Sequence, residues 1–331
     1  MHDVGLIDST VLKLPKSESN TLFDGLMLAG FDFRLQRARS HKSAEAESKI
    51  FPMQAAIHPA VLPTDWLTVE GSYNVGEKKR YSGQQPWSGS AILRPDFSWP
   101  ELRAGFFQPS IGMRYDDHTM LVRQIAGADG IPLIAPNFAE WGAEVSYSSL
   151  KWLTVTAGAF DAGSLAENQV TGKDSLQHSL VADRNTPSVL GRVVFWPHLF
   201  DKQTPMYAGV SLLANGDFSL ANVFAGIGLV DNLSLMAEYA HSDKKDLRVT
   251  NNVSVDVTWQ ALDALHVYVR GERGVTTLTS MPQETEVYTN QIVLGTQIFL
   301  LPFVELRPEY RWVDTEAFTS TRYAVQLHLF Y

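Results

Sequence analysis

The chain has 331 residues, 45% hydrophobic and 19% charged, with a net charge of −9 and no cysteine. The acidic balance argues against nucleic acid as a partner, and the missing cysteine excludes disulfides, thiolate metal sites and covalently attached c-type haem on this chain. No apolar run reaches the roughly 18 residues of a membrane-spanning helix; the best candidate, 291–304, is broken by Gly295, Gln297 and Pro302.

Residues 1–22 read as a polar leader without the apolar segment of a signal peptide. From there to the last residue, apolar and mixed positions alternate with a period of two, the mark of a strand with two unlike faces. In "DGLMLAGFDFRLQR", Met27, Ala29, Phe31, Phe33 and Leu35 oppose Gly30, Asp32, Arg34 and Gln36. In "DWLTVEGSYNV", Leu67, Val69, Tyr73 and Val75 oppose Thr68, Glu70, Ser72 and Asn74. Farther along, "NVSVDVTWQ" sets Val253, Val255, Val257 and Trp259 against Ser254, Asp256, Thr258 and Gln260. The closing "RYAVQLHLFY" repeats the motif with Tyr323, Val325, Leu327, Leu329 and Tyr331 on its apolar face.

About sixteen such segments are expected, each of the length a tilted strand needs to cross a bilayer. They fall at 24–37, 50–60, 66–76, 88–95, 99–108, 139–148, 151–161, 187–197, 205–214, 218–229, 231–241, 252–260, 264–273, 287–298, 303–313 and 322–331. The connections between them alternate. Short ones such as "LPTD", "VDN" and "LLP" take turns with longer ones at 38–49, 77–87, 109–138, 162–186, 242–251, 274–286 and 314–321, with 215–217 the exception. Short turns on one side and long loops on the other characterise barrels of bacterial outer membranes. The expected fold is therefore all-β: a single transmembrane antiparallel up-and-down β-barrel over 23–331. Trp66, Trp141, Trp152, Trp259, Trp312, Tyr323 and Tyr331 near strand ends suit the two membrane interfaces.

A barrel of this size encloses water, so the mixed face lines a lumen. Its expected acids are Asp32, Glu70, Glu101, Glu144, Glu238, Asp256, Glu272, Glu305 and Glu309. Its expected bases are Arg34, Arg94, Arg103, Arg192, Arg270, Arg307 and Arg311, and arginine is the expected strand base, the lysines lying outside the proposed strands apart from Lys151 at the first position of 151–161. Arginine stays charged and its planar fork pairs with carboxylates on neighbouring strands. His58, His266 and His328 also fall on this face.

The stretch 109–138 leaves its strand at Pro109 and is mostly apolar, which predicts that it folds inward and packs on the wall. Asp116 or Asp117 could cap a short helix through Met120, Leu121 and Val122 that ends near Gly127. Arg114, Asp116, Asp117, His118 and Arg123 are the candidate pore constriction, facing Arg307 and Arg311 across the channel. A metal or catalytic reading of the same cluster is weaker, because no second histidine stands near and adjacent aspartates point different ways.

The strand set and terminal aromatic resemble the sixteen-stranded porins of Gram-negative outer membranes, over nearly the whole chain. That resemblance implies an outer-membrane channel for passive diffusion of ions and small polar solutes, with a third extracellular loop folded into the barrel, here 109–138. It implies no cofactor and no enzymatic activity. Outer-membrane lipid is the expected surrounding; a homotrimer and a protein partner in an outer-membrane complex both stay open. "FFQPSIGMRYDDHT" (106–119) is also similar to a segment of barrels encoded beside multihaem cytochromes. The alternative it implies is a sheath around a partner, as in a porin–cytochrome electron conduit.

Overall fold

The computed structural model describes residues 21–23, 26–42, 45–75, 85–113, 120–127, 132–134, 138–150, 152–166, 185–196, 205–279 and 284–331. A two-residue strand β1 (Thr21–Leu22) pairs with the start of β2 (Met27–Lys42). The chain then runs through β3 (Glu45–Thr64), β4 (Leu67–Asn74), β5 (Trp87–Leu93), β6 (Glu101–Phe107), β7 (Glu140–Leu150), β8 (Leu153–Phe160) and β9 (Ser188–Phe195). It continues through β10 (Met206–Asn215), β11 (Phe218–Val230), β12 (Leu233–Lys244) and β13 (Arg248–Leu262). The last four are β14 (Leu265–Leu278), β15 (Thr285–Leu301), β16 (Val304–Thr315) and β17 (Thr319–Phe330). Each pairs antiparallel with its neighbours in sequence, and β17 pairs with β2, so the sixteen strands β2 to β17 form a closed barrel. Closure leaves no strand edge whose unpaired backbone would meet lipid. At the seam Phe31 and Tyr331 exchange both backbone hydrogen bonds, at 3.1 and 3.0 Å, and their rings stack.

The two-residue period sorts the side chains. On β13, Val253, Val255, Val257 and Trp259 are exposed on the outside, while Ser254, Asp256 and Thr258 are buried inside. On β12 and β14, Leu235 and Val267 fall on the outer face, and Glu238 and Arg270 are buried on the inner one. On β17, Tyr323 and Val325 are exposed while Ala324 between them is buried. The outer apolar band is bordered on one side by Trp66, Trp99, Trp152 and Trp259, and on the other by Tyr73, Trp87, Trp141 and Tyr239. Above Tyr239 the outer face turns polar: its hydroxyl donates to Asn251 Oδ1 at 2.6 Å, and His241 Nδ1 meets the same oxygen at 2.8 Å. At the opposite end, Asp96 caps the turn after β5 by accepting from the Ser98 amide (2.8 Å) and hydroxyl (2.7 Å). Those two bonds hold its pKa below the usual carboxylate value.

Strand length departs from the sequence expectation. The expected strand 50–60 extends over Glu45–Thr64, and β2 continues to Lys42, so the loop expected at 38–49 is nearly all strand. The loops expected at 242–251, 274–286 and 314–321 shrink to 245–247, 279–284 and 316–318. The polar residues that suggested loops are strand residues standing beyond the apolar band, where water tolerates both faces. Lys42, Lys49 and Lys244 consequently lie in strands, contrary to the expectation that strand cations are all arginine. Only 75–86, 108–139 and 161–187 are long connections on this side, and they leave the shorter strands.

Inside, large rings lie along the wall rather than across the lumen, and glycines make room for them. A Cβ on Gly226 would sit 2.5 Å from the Tyr207 ring, and one on Gly295 would collide with Tyr268. Close approach of a ring to a strand requires glycine at these two positions.

Candidate functional site

The segment between β6 and β7 leaves the wall at Phe107 and is bonded to inward-facing groups of successive strands. The Ser110 amide and hydroxyl donate to Glu144 on β7 at 2.6 and 2.9 Å. Gly112 N–H donates to Ser211 Oγ on β10 at 2.8 Å, and Met113 N–H to Glu238 Oε1 on β12 at 3.2 Å. The Tyr207 hydroxyl points at the Met113 sulfur. Farther on, Leu121 N–H donates to Glu272 Oε1 on β14 at 2.9 Å, while Asn252 Nδ2 on β13 donates to the carbonyls of Leu121 and Gln124, both at 2.7 Å. Gly127 N–H reaches Thr289 Oγ1 on β15 at 2.8 Å.

Apolar contact holds the segment more strongly than these bonds. Met120, Val122, Ile125, Leu133 and Phe138 form one buried cluster with Phe160, Leu190, Leu213, Phe218 and Leu220 of the wall. Leu165, from the helical turn Gly163–Ala166 whose amides at Ser164 and Leu165 donate to Glu140, completes it. A second cluster joins Met113 to Val194, Tyr207, Phe224 and Met236. Full burial of a large apolar side chain is worth roughly 1.5–3 kcal/mol, against about 1 kcal/mol net for an ordinary hydrogen bond.

The helix expected through Met120–Gly127 is a single 3₁₀ turn, Leu121–Arg123. Met120 occupies its N-cap position and no side chain caps it. The turn ends because Gln124 is extended and bridges Pro132, with Leu133 N–H donating to the Arg123 carbonyl at 2.7 Å. Of the candidate constriction residues, Arg114, Asp116, Asp117 and His118 lie outside the described residues. Arg123 is half-buried; its Nη2 donates to the Met113 carbonyl at 3.3 Å, and its charge acts on Glu238.

The described contacts of the segment run from β7 round to β15. The wall charges there are covered: Arg270 and Glu272, 3.5 Å apart, keep side-chain exposures of 3% and 0%. Arg192 lies over the Phe224 ring, 5.3 Å from its centroid. From β16 through β17 and β2 to β6 the inner wall carries a ladder of charges. Glu309 pairs with Arg311 and accepts from the Tyr268 hydroxyl at 2.8 Å, and Arg307 Nε donates to that hydroxyl at 3.0 Å. His328 stands between Glu305 (3.0 Å) and Asp32 (3.2 Å), and Asp32 holds Arg34 at 2.7 Å. Glu70 pairs with Arg103, at exposures of 35% and 21%. Sequence reasoning placed these charges on the inner face without assigning partners. It missed the apolar inner patch of Leu190, Leu213, Phe218 and Leu220, although those residues sit on the inward phase of their strands.

No group of three or more histidine, aspartate or glutamate side chains that could hold a metal ion occurs among the described residues. What the inner face offers is a wall of paired charges, with the described parts of 108–139 bonded to inward-facing side chains of β7–β15.

A closed sixteen-strand barrel with an outer apolar band, a charged inner face and, among the described residues, no helix long and apolar enough to cross a membrane has the architecture of the outer-membrane porins. Solved structures bear this out at the level of fold. OprB of Pseudomonas putida superposes with a TM-score of 0.62 at 10% identity, over 94% of this chain and 95% of its own. The anion-selective porin of Comamonas acidovorans gives 0.61 at 11% identity, over 92% and 99%. OmpT of Vibrio cholerae, in a trimer form, gives 0.56 at 9% identity, over 92% and 99%. No family model matches the chain, and no curated protein matches its sequence.

Proposed function

We propose that the protein is an outer-membrane channel of a bacterium, through which ions and small polar solutes diffuse passively, and that it catalyses no reaction. The observation that carries this reading is the division of the inner wall: an inserted segment packs against β7–β15 and leaves the charge ladder from β16 round to β6 clear of its described contacts. The porin architecture of the structural neighbours supports it. We assign the narrowing of the lumen to 109–138, with Arg123 on the inserted side and Arg307 and Arg311 on the wall. Along the ladder Asp32, Glu70, Glu101, Glu305 and Glu309 stand against Arg34, Arg94, Arg103, Arg307 and Arg311, with Arg322 on the inward phase of β17 as a further cation, and most of these charges have an opposite neighbour. Weak selectivity between small cations and anions follows. A homotrimer, the form given for OmpT of Vibrio cholerae, is the proposed assembly, to be checked by cross-linking in native membranes. The sheath alternative needs an unobstructed bore, and the inserted segment argues against it.

Purified protein in a planar bilayer tests the reading. Discrete conductance steps with near-equal permeability to potassium and chloride are expected. Membranes that stay silent would end the channel proposal. Steps as large as those of a variant lacking 115–130 would instead mean an open bore and favour the sheath.

A further inference from the structure

A fully buried arginine of the inner face has no counterpart among the described residues. Arg248 opens β13 and shares its inward face with Thr250, Asn252 and Asp256. It is 1% exposed, and none of Nε, Nη1 and Nη2 has a hydrogen-bond partner. Its neighbours do not help it. Directly across the β12–β13 pair stands Lys244, a second cation, and across the β13–β14 pair stands Leu278. Beyond Lys244 lies Phe218 on β11. One row down, the Ser242 hydroxyl is also buried and also unpartnered, while Thr250 and Thr276 satisfy each other at 3.0 Å. Of the two acids nearest in sequence, Asp246 is exposed in the turn 245–247, and Asp243 falls on the opposite face of β12, paired with Val249.

Such an arrangement is unfavourable as it stands. Like charges directly opposite on paired strands repel, and a guanidinium removed from water without hydrogen bonds loses its solvation for nothing. Arginine does not escape by shedding its proton. An anion resolves all three difficulties at once. The guanidinium fork matches two oxygens of an oxyanion in a bidentate pair, the Ser242 hydroxyl supplies a further donor, and Lys244 adds the second positive charge. Phe218 and Leu278, both buried, flank the pair on the neighbouring strands and offer no polar group, which favours a small occupant.

We propose that Arg248, Lys244 and Ser242 form a binding site for a small tetrahedral oxyanion of the phosphate type, inside the barrel at the β12–β13 hairpin end. The site is separate from the charge ladder on β16–β6 and does not depend on the channel reading.

Heat unfolding of the purified detergent-solubilised protein, titrated with inorganic phosphate at constant ionic strength, tests it. The parent should show a saturable rise in midpoint temperature. Arg248→Gln should abolish the rise and, without phosphate, be no less stable than the parent, because an unpaired buried cation has been removed. Lys244→Met and Ser242→Ala should each still bind, with half-saturation about tenfold higher for the lost charge-assisted contact. These two variants carry the test should Arg248→Gln not assemble. A parent that does not respond, an Arg248→Gln protein that responds like the parent, or unchanged half-saturation in both remaining variants would overturn the proposal. So would chloride matching phosphate at equal concentration, since a halide cannot use the fork.

Discussion

Shortening Leu133 to alanine should loosen the inserted segment without opening the barrel. Leu133 is fully buried in the apolar cluster that ties the segment to the wall, and its amide also bonds to Arg123. Large-to-alanine changes at such sites cost about 2–5 kcal/mol. None of that loss falls on the strand ladder, because Leu133 belongs to no strand. At 1.4 kcal/mol per factor of ten, even the low end of about 2 kcal/mol multiplies the undocked population by about 30. Asn252→Ala is the graded comparison. It removes two donors to the segment's carbonyls, about 1 kcal/mol each by the usual net value, and water in the lumen can replace part of that. In planar bilayers, Leu133→Ala should show frequent excursions to a larger conductance, and Asn252→Ala fewer, while the heat-resistance of the barrel on gels stays at the parent value for both. A Leu133→Ala channel as steady as the parent, or a reversed order of the two variants, would refute the view that apolar packing holds the segment.

Three further outcomes are expected. Val255→Arg places a charge in the middle of the outer apolar band and should lower folding stability in lipid by about 2–4 kcal/mol, whereas Ser254→Arg, on the inner face, should instead change conductance; refolding titrations in vesicles separate the two. Gly295→Val drives a side chain into the Tyr268 ring and should displace the bonds of Tyr268 to Glu309 and Arg307; overpacking of this kind costs about 1–3 kcal/mol, read as a lower unfolding midpoint and altered ion selectivity. Replacing Leu329 and Tyr331 together with charged residues should block assembly in native membranes, because the seam with β2 would bring charge to the lipid face.

Much of the fold was legible because a barrel wall has the simplest of sequence codes. Val253 to Trp259 alternates without a break, so the outer face of β13 could be read residue by residue. Strand ends were less legible: at 242–251 the membrane stops constraining the outer face, and Ser242, Asp243, Lys244 and Asn251 look like loop although they stay paired. On β11 the string Phe218, Leu220, Asn222 and Phe224 points inward, and its apolar character was a visible sign that something covers that wall. The charge pairs were harder to foresee, since Asp32 meets His328 only through the closure of β17 on β2, and Tyr268 reaches Glu309 across Gly295 of the intervening β15. Arg248 carried no signal at all, because its isolation depends on what the opposing positions lack.

The uneven strand lengths give the barrel a lopsided outline. β4, β5 and β6 have 8, 7 and 7 residues, while β13, β14 and β15 have 15, 14 and 17. On the tall side, paired hairpins rise past the aromatic belt and end in turns as tight as 216–217 and 245–247. A hydrogen-bonded parapet of that kind offers little slack chain for a protease, an antibody or a phage fibre to grip. On the low side the strands are stubby, and the connections 75–86, 108–139 and 161–187 begin there. The tall flank of this molecule is therefore a hard one, and its sequence there answers to the needs of its paired strands.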